Sequence, residues 1–318
     1  MRNTVVVLGA GASRSVSYAR QGGNLSPLDS DFFDLLRRLQ HLESNQEQAR
    51  QWILEALPSI GEGSRRSLER AFYTLHLRAL MAAKLKAPVG YSVEDVVLRF
   101  VTSIDATLRA AHGTNTCDHH VALFNALTRN DVILSFNYDL VAERALRSSV
   151  GELQDAFDPK IYGFASDGEY DGPALLKLHG SSNWILEKNA FHVRTKTWSA
   201  FDDSPNYRAA LGGNGTKFAV FLPFWEKRVE ARPWLQLWKH ALSALRQVDR
   251  LIVWGYSLPT TDVRTELLFE LGVGKRSIDL CLIDPSEQTR ARWRALIPAA
   301  RLWQYGHIRE YLADAPQW

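Results

Sequence analysis

The stretch "TVVVLGAGAS", Thr4 to Ser13, decides the fold class. Val5, Val6, Val7 and Leu8 form an apolar run without alternation, and glycine then enters at positions 9 and 11. A continuous β-branched run suits a strand covered on both faces, as in a parallel sheet. Glycines just past its tip let the backbone turn tightly or approach an anion without a Cβ clash. Two readings of this loop stay open. It cradles a diphosphate through Gly9, Ala10, Gly11, Ala12 and Ser13, or it is a tight strand–helix turn with no ligand. The dinucleotide fingerprint of dehydrogenases wants a third glycine at position 14, where Arg14 stands. The acidic residue that it wants about 20 positions on, ending a second strand, is also missing. Asp29 and Asp31 sit in a turn before a helix instead.

Five further runs have the same character: "DVILSFNYD" (131–139), "ALLKLHG" (174–180), "KFAVFLP" (217–223), "RLIVWGYS" (250–257) and "IDLCLIDPS" (278–286). Several end in a turn residue and pass into a helical pattern, which is the βαβ rhythm. The expected class is α/β: a Rossmann-like, mostly parallel sheet with helices on both faces. About 120 residues separate the first two strands, whereas a simple crossover needs only about a dozen. Their apolar positions recur at three- and four-residue spacing, and Ser92-Val93-Glu94-Asp95 fits a capping box. The chain therefore reads as one domain, 1–318, with an inserted helical subdomain at 40–116. A second insert, roughly 155–215, is rich in Gly, Asp, Asn and aromatics and is expected to hold a hairpin and site loops.

Composition excludes several classes. The chain has 318 residues, 46% hydrophobic and 23% charged, with a net charge of +3. A dedicated nucleic-acid binder would show a dense basic stripe, and only pairs such as Arg37-Arg38 and Arg65-Arg66 occur. Nucleic-acid binding by this chain alone is not expected. No apolar run approaches the ~18 residues of a membrane span. Cys117 and Cys281 are the only cysteines, so a four-cysteine zinc site is excluded and a reducing, cytoplasmic setting fits best. No metal is expected.

The strand ends carry the candidate chemistry. In "ILSFNYD", Ser135, Asn137 and Asp139 follow a hydrophobic run; Asn137 could bond ribose hydroxyls or position a water, or either residue could cap the next helix. His179 in "KLHGSSNW" could remove a proton near neutral pH, or be a buried histidine satisfied by a carbonyl. In "LIVWGYSLPTTD", Gly255 and Ser257 could contact phosphate or ribose, with Asp262 further on. Asp284 could take the ribose hydroxyls of an adenosine, or cap the helix after Pro285. Five strand ends that present glycine or hydrogen-bonding groups to one edge are hard to explain by capping alone.

Taken together these residues resemble the SIR2, or sirtuin, family. Its GAGxS, NxD, HG and GxSL segments correspond here to Gly9-Ala10-Gly11-Ala12-Ser13, Asn137-Tyr138-Asp139, His179-Gly180 and Gly255-Tyr256-Ser257-Leu258. The wording "SFNYD", "KLHGSSNW" and "GYSLPTTD" is most similar to bacterial SIR2-like proteins of anti-phage defence, which consume NAD. The resemblance implies an NAD+ glycohydrolase with NAD+ as its substrate, the effector of an abortive-infection system. Asn137 would position ribose and water, and His179 would be the base. Asp139 would take the carboxamide. The 9–13 loop would hold the diphosphate, with Gly255, Ser257 and Asp284 on the adenosine side. Control by homo-oligomerisation or a regulatory partner protein is implied, with the 40–116 helices as the contact surface. Two departures bear on this. The two cysteines cannot build the zinc ribbon of sirtuin deacylases, whose place the 40–116 helices would take. Phe136 stands where sirtuins carry a glutamine. A deacylase and a non-catalytic NAD or ADP-ribose sensor are the alternatives.

Overall fold

The computed structural model describes residues 2–19, 25–150, 159–163, 170–187, 190–193, 217–220 and 233–314. Nine strands lie in these segments: β1 (Thr4–Leu8), β2 (Val132–Ser135), β3 (Ala174–Lys177), β4 (Gly180–Glu187), β5 (Ala190–Val193), β6 (Lys217–Val220), β7 (Arg250–Trp254), β8 (Asp279–Ile283) and β9 (Arg301–Tyr305). Six of them form one sheet in the order β3-β2-β1-β7-β8-β9. All of its pairings are parallel, with Val5 opposite both Val132 and Leu251. The class is α/β and Rossmann-like.

Continuous apolar runs form this sheet because it is covered on both faces. Val5, Val6, Val7 and Leu8 are all buried, as are Leu251 to Trp254 and Leu280 to Ile283. β1 is central. The chain leaves it outward through β2 to β3, then returns to β1's other side at β7. That reversal of direction opens a crevice beyond the strand ends, where open α/β sheets bind ligands.

Two strands differ from the sequence expectation. The 217–223 run is not in the parallel sheet: β6 pairs antiparallel with β4 in a three-stranded sheet of order β5-β4-β6. β9 was not expected at all. It is the edge of the large sheet, and "RLWQY" leaves Arg301 and Gln304 exposed, so no continuous apolar run marks it. The hairpin expected in the second insert is β4–β5. Most of 155–215 lies outside the described residues.

Between β1 and β2 the chain is helical. Helices Phe32–Arg38, Ser44–Ala56, Leu68–Leu85 and Val93–His112 enclose a separate core of Phe32, Leu36, Ile53, Phe72, Leu75 and Phe100. This core starts ahead of residue 40 because Phe32, Phe33 and Leu36 belong to it. The expected capping box is present: Ser92 Oγ accepts from Asp95 N–H at 3.0 Å, and Asp95 Oδ2 accepts from Ser92 N–H at 3.0 Å. No helix among the described residues is long and apolar enough to cross a membrane.

Candidate active site

A cleft of about 680 Å³ lies over the carboxyl ends of β1, β2, β7 and β8. Phe32, Leu68, Glu69, Ile104 and Leu108 of the helical layer also line it, as do Gly306, His307 and Ile308 after β9. This size falls within the ordinary range for small-molecule and cofactor sites.

The glycine loop is explained first by its neighbour. Gly9 N–H donates to Trp254 O at 3.1 Å and Gly11 N–H to Gly255 O at 2.9 Å. A Cβ on Gly9 would meet Tyr256 Cα at 2.4 Å, and one on Gly255 would meet Ala12 N at 2.2 Å. Gly255 also has φ +63°, which glycine adopts without strain. These glycines let the loops after β1 and β7 pack backbone to backbone. Ala10, Gly11 and Gly255 face the cleft, whereas Gly9, Ala12 and Ser13 stand behind its wall. Arg14, in place of the third glycine, pairs with Asp31 at 2.8 Å and donates to Ser26 O at 2.7 Å.

Ser13 has a clear part in this wall. Asn137 Nδ2 donates to Gly9 O at 2.8 Å and to Ser13 Oγ at 2.9 Å. Ser13 Oγ passes its own hydrogen to Asp139 Oδ2 at 2.5 Å. A backbone carbonyl only accepts, so the Asn137 amide orientation is fixed. Both of its hydrogens are committed, and what it offers the cleft is the acceptor Oδ1. Asp139 Oδ1 takes the amide of Val141 at 3.0 Å, so this residue does cap the helix Val141–Val150 while also lining the cleft. Burial alone would raise its pKa. His112, Lys177 and the bonds from Ser13 and Val141 together hold it below the usual carboxylate value. Lys177 Nζ donates to the Asp139 carbonyl and pairs with Glu143 at 3.1 Å, with both side chains fully buried.

His179 follows β3 and precedes β4. Gly180 has φ +83°, so the left-handed turn between these strands itself calls for glycine. The imidazole reaches the cleft. Its Nε2 lies 3.1 Å from Asp262 Oδ2. Tyr256 Oη donates to the same oxygen at 3.0 Å. Phe136 packs nearly perpendicular to the imidazole at 5.0 Å and stacks on Tyr256 at 4.2 Å.

The remaining candidates also line the cleft. Ser257 does so, with its carbonyl held by Arg292 at 3.2 Å. Asp284 does so as well, and Oδ1 accepts Ser286 N–H at 2.8 Å. The cap of the next helix is Ser286, which accepts from Thr289 N–H at 3.3 Å. Burial raises the Asp284 pKa. Asn137, His179, Gly255, Ser257 and Asp284 thus meet in one cleft. Sequence reasoning noticed Asp262 only in passing and gave Tyr256 and Phe136 no role beside His179, since their spacing shows nothing of a contact across strands.

The chain is similar in fold to solved Sir2 structures. A Sir2 structure in complex with the inhibitor EX-527, 2′-O-acetyl-ADP-ribose and a deacetylated p53 peptide shares 12% identity at a TM-score of 0.42, covering 99% of this chain and 94% of that chain. A Sir2 mutant structure with a p53 peptide and NAD shares 13% at a TM-score of 0.39, over 98% and 91%. No protein-family model and no curated protein matches the sequence. Among the described residues no group of three or more His, Cys, Asp or Glu could hold a metal ion.

Proposed function

We propose that the chain is an NAD+ glycohydrolase that converts NAD+ and water to nicotinamide and ADP-ribose. One observation carries the reading: Asn137 and His179 face the same switch-point cleft, each with its orientation fixed by buried partners. The glycosidic bond breaks with its electron pair going to nicotinamide, which leaves neutral from a cation. The ribose carbon then resembles an oxocarbenium ion, so the site needs positioned dipoles more than a strong nucleophile. Asn137 Oδ1 accepts from a ribose hydroxyl or from the attacking water. The water oxygen bonds to the ribose carbon, and its proton passes to His179. Asp139 is an acceptor for the carboxamide, and Asp284 for the adenosine ribose hydroxyls. Ala10, Gly11, Gly255 and Ser257 border the space for the diphosphate.

Two features support assembly with copies or a partner. Leu77, Met81 and Leu85 are exposed at four-residue spacing on the helix Leu68–Leu85. Val263, Leu267 and Leu271 repeat that pattern on the helix Val263–Val273. Contiguous exposed apolar residues mark contact surfaces. The resemblance of "SFNYD", "KLHGSSNW" and "GYSLPTTD" to defence proteins extends the proposal to an anti-phage effector.

The test is nicotinamide release from NAD+ by the whole protein across a concentration series. His179→Ala and Asn137→Ala should each lower kcat about a hundredfold or more. Tight NAD+ binding with no release under any condition would replace the hydrolase by a sensor. Release that requires an acyl-lysine peptide would replace it by a deacylase.

A further inference from the structure

We propose, on the strength of that hydrolase reading, that Asp262 is the positioning residue for His179: it holds the Nε2–H side of the ring and so makes Nδ1 the nitrogen that takes the proton. The contact is specific. A carboxylate only accepts and would repel a lone pair at 3.1 Å, so the approach of Asp262 Oδ2 favours the hydrogen on Nε2. In a neutral imidazole the lone pair then sits on Nδ1.

Asp262 is also out of its ordinary place. It stands at the N-cap of the helix Val263–Val273, where an aspartate usually accepts an amide of the first turn, yet its side chain makes no cap bond. The carboxylate is buried and turned to His179 instead. Tyr256 Oη holds the same oxygen at 3.0 Å, which fixes the carboxylate in turn. Phe136, packed nearly perpendicular to the imidazole at 5.0 Å, limits its tilt. Base, orienting carboxylate and a third group holding that carboxylate are the recurring parts of an activated proton acceptor.

The step balances simply. The proton of the attacking water moves to Nδ1, the ring becomes an imidazolium, and the Asp262 carboxylate stabilises that charge without taking a proton. Among the described residues, the titratable groups beside this pair include Tyr256, Tyr138, whose ring lies 6.5 Å from His179, and Glu69 of the helical layer, which accepts from Thr261 Oγ1 at 2.7 Å.

Two measurements test this. Nitrogen-15 NMR of the imidazoles, with His179→Gln assigning the resonance, should show wild-type His179 protonated at Nε2 when neutral. Asp262→Asn keeps the shape and removes the charge. It should lower kcat about a hundredfold with KM within about threefold, and lower the His179 titration midpoint. The basic form then persists to lower pH, so the rising limb of kcat against pH moves down. Asp262→Glu should recover part of kcat. Wild-type His179 carrying its hydrogen on Nδ1 would overturn the proposal. So would an Asp262→Asn enzyme with wild-type kcat and His179 titration. A wild type that releases no nicotinamide removes the hydrolase reading, whereas tautomer and titration still decide the Asp262 contact.

Discussion

Gly255 has a structural reason to be glycine that the sequence does not display. Glycine after β7 suggested room for a ligand. The structure adds a positive φ of +63° and a neighbouring backbone 2.2 Å from any Cβ. Gly255→Ala should cost about 3 kcal/mol or more, from left-handed strain plus a clash with backbone that cannot give way. Urea unfolding measures it, and a loss under about 1 kcal/mol would mean that the two loops are not packed this closely. That Asn137 and His179 stand at strand ends was legible, because each follows an apolar run, and the structure places both on the cleft. Their partners were not legible, because Ser13 and Asp262 come from distant strand ends and only folding brings them near. His120 was silent too. It is buried, its Nδ1 lies 3.1 Å from Cys117 Sγ, and its ring packs on Trp254 at 4.2 Å. Burial lowers its pKa from 6.5 to about 3. The folded-state value is depressed, so the unfolded chain binds the extra proton first. The contribution is whole above pH 6.5 and is lost as pH falls toward about 3, at about 1.4 kcal/mol per pH unit. His120→Leu should flatten the stability profile across that window, and an unchanged slope would contradict a neutral buried ring.

At the level of elements, the runs that became parallel strands were the most legible, since burial on both faces writes an uninterrupted apolar sequence. β9 was not, because an edge strand keeps polar residues on its open side. β6 was read as a strand but given the wrong sheet, since an apolar run does not encode its partner. The helix Val93–His112 was legible at its start through the reciprocal bonds of Ser92 and Asp95. Removing one half of that box has a definite expectation: Ser92→Ala should destabilise the protein by about 1 kcal/mol, seen as a lower urea midpoint with the slope unchanged. Helices Leu68–Leu85 and Val93–His112 share one core, so the loss should register in the global transition rather than as local fraying.

On the scale of the whole molecule, the helical layer borders the cleft and also faces outward. The helix Leu68–Leu85 opens with Leu68 and Glu69 on the cleft, and Glu69 takes a hydrogen bond from Thr261, the neighbour of Asp262. Further along it carries the exposed Leu77, Met81 and Leu85, the last at 69% exposure. A contact on that apolar stripe would therefore bear on the same rigid helix that borders the site. The proposed NAD-consuming activity would need restraint, and coupling assembly to this helix would supply it without a ligand of its own. If assembly runs through the stripe, Leu77→Glu with Met81→Glu should shift the protein to a smaller species in light scattering. It should also lower nicotinamide release at equal chain concentration, because the charges sit on the contact face. NAD+ affinity should change little, since neither side chain lines the cleft. Loss of release with an unchanged particle size would instead mean that the substitutions disturb the helix itself. Unchanged size together with unchanged release would free this face from any part in assembly and leave the stripe Val263, Leu267 and Leu271 as the next surface to charge.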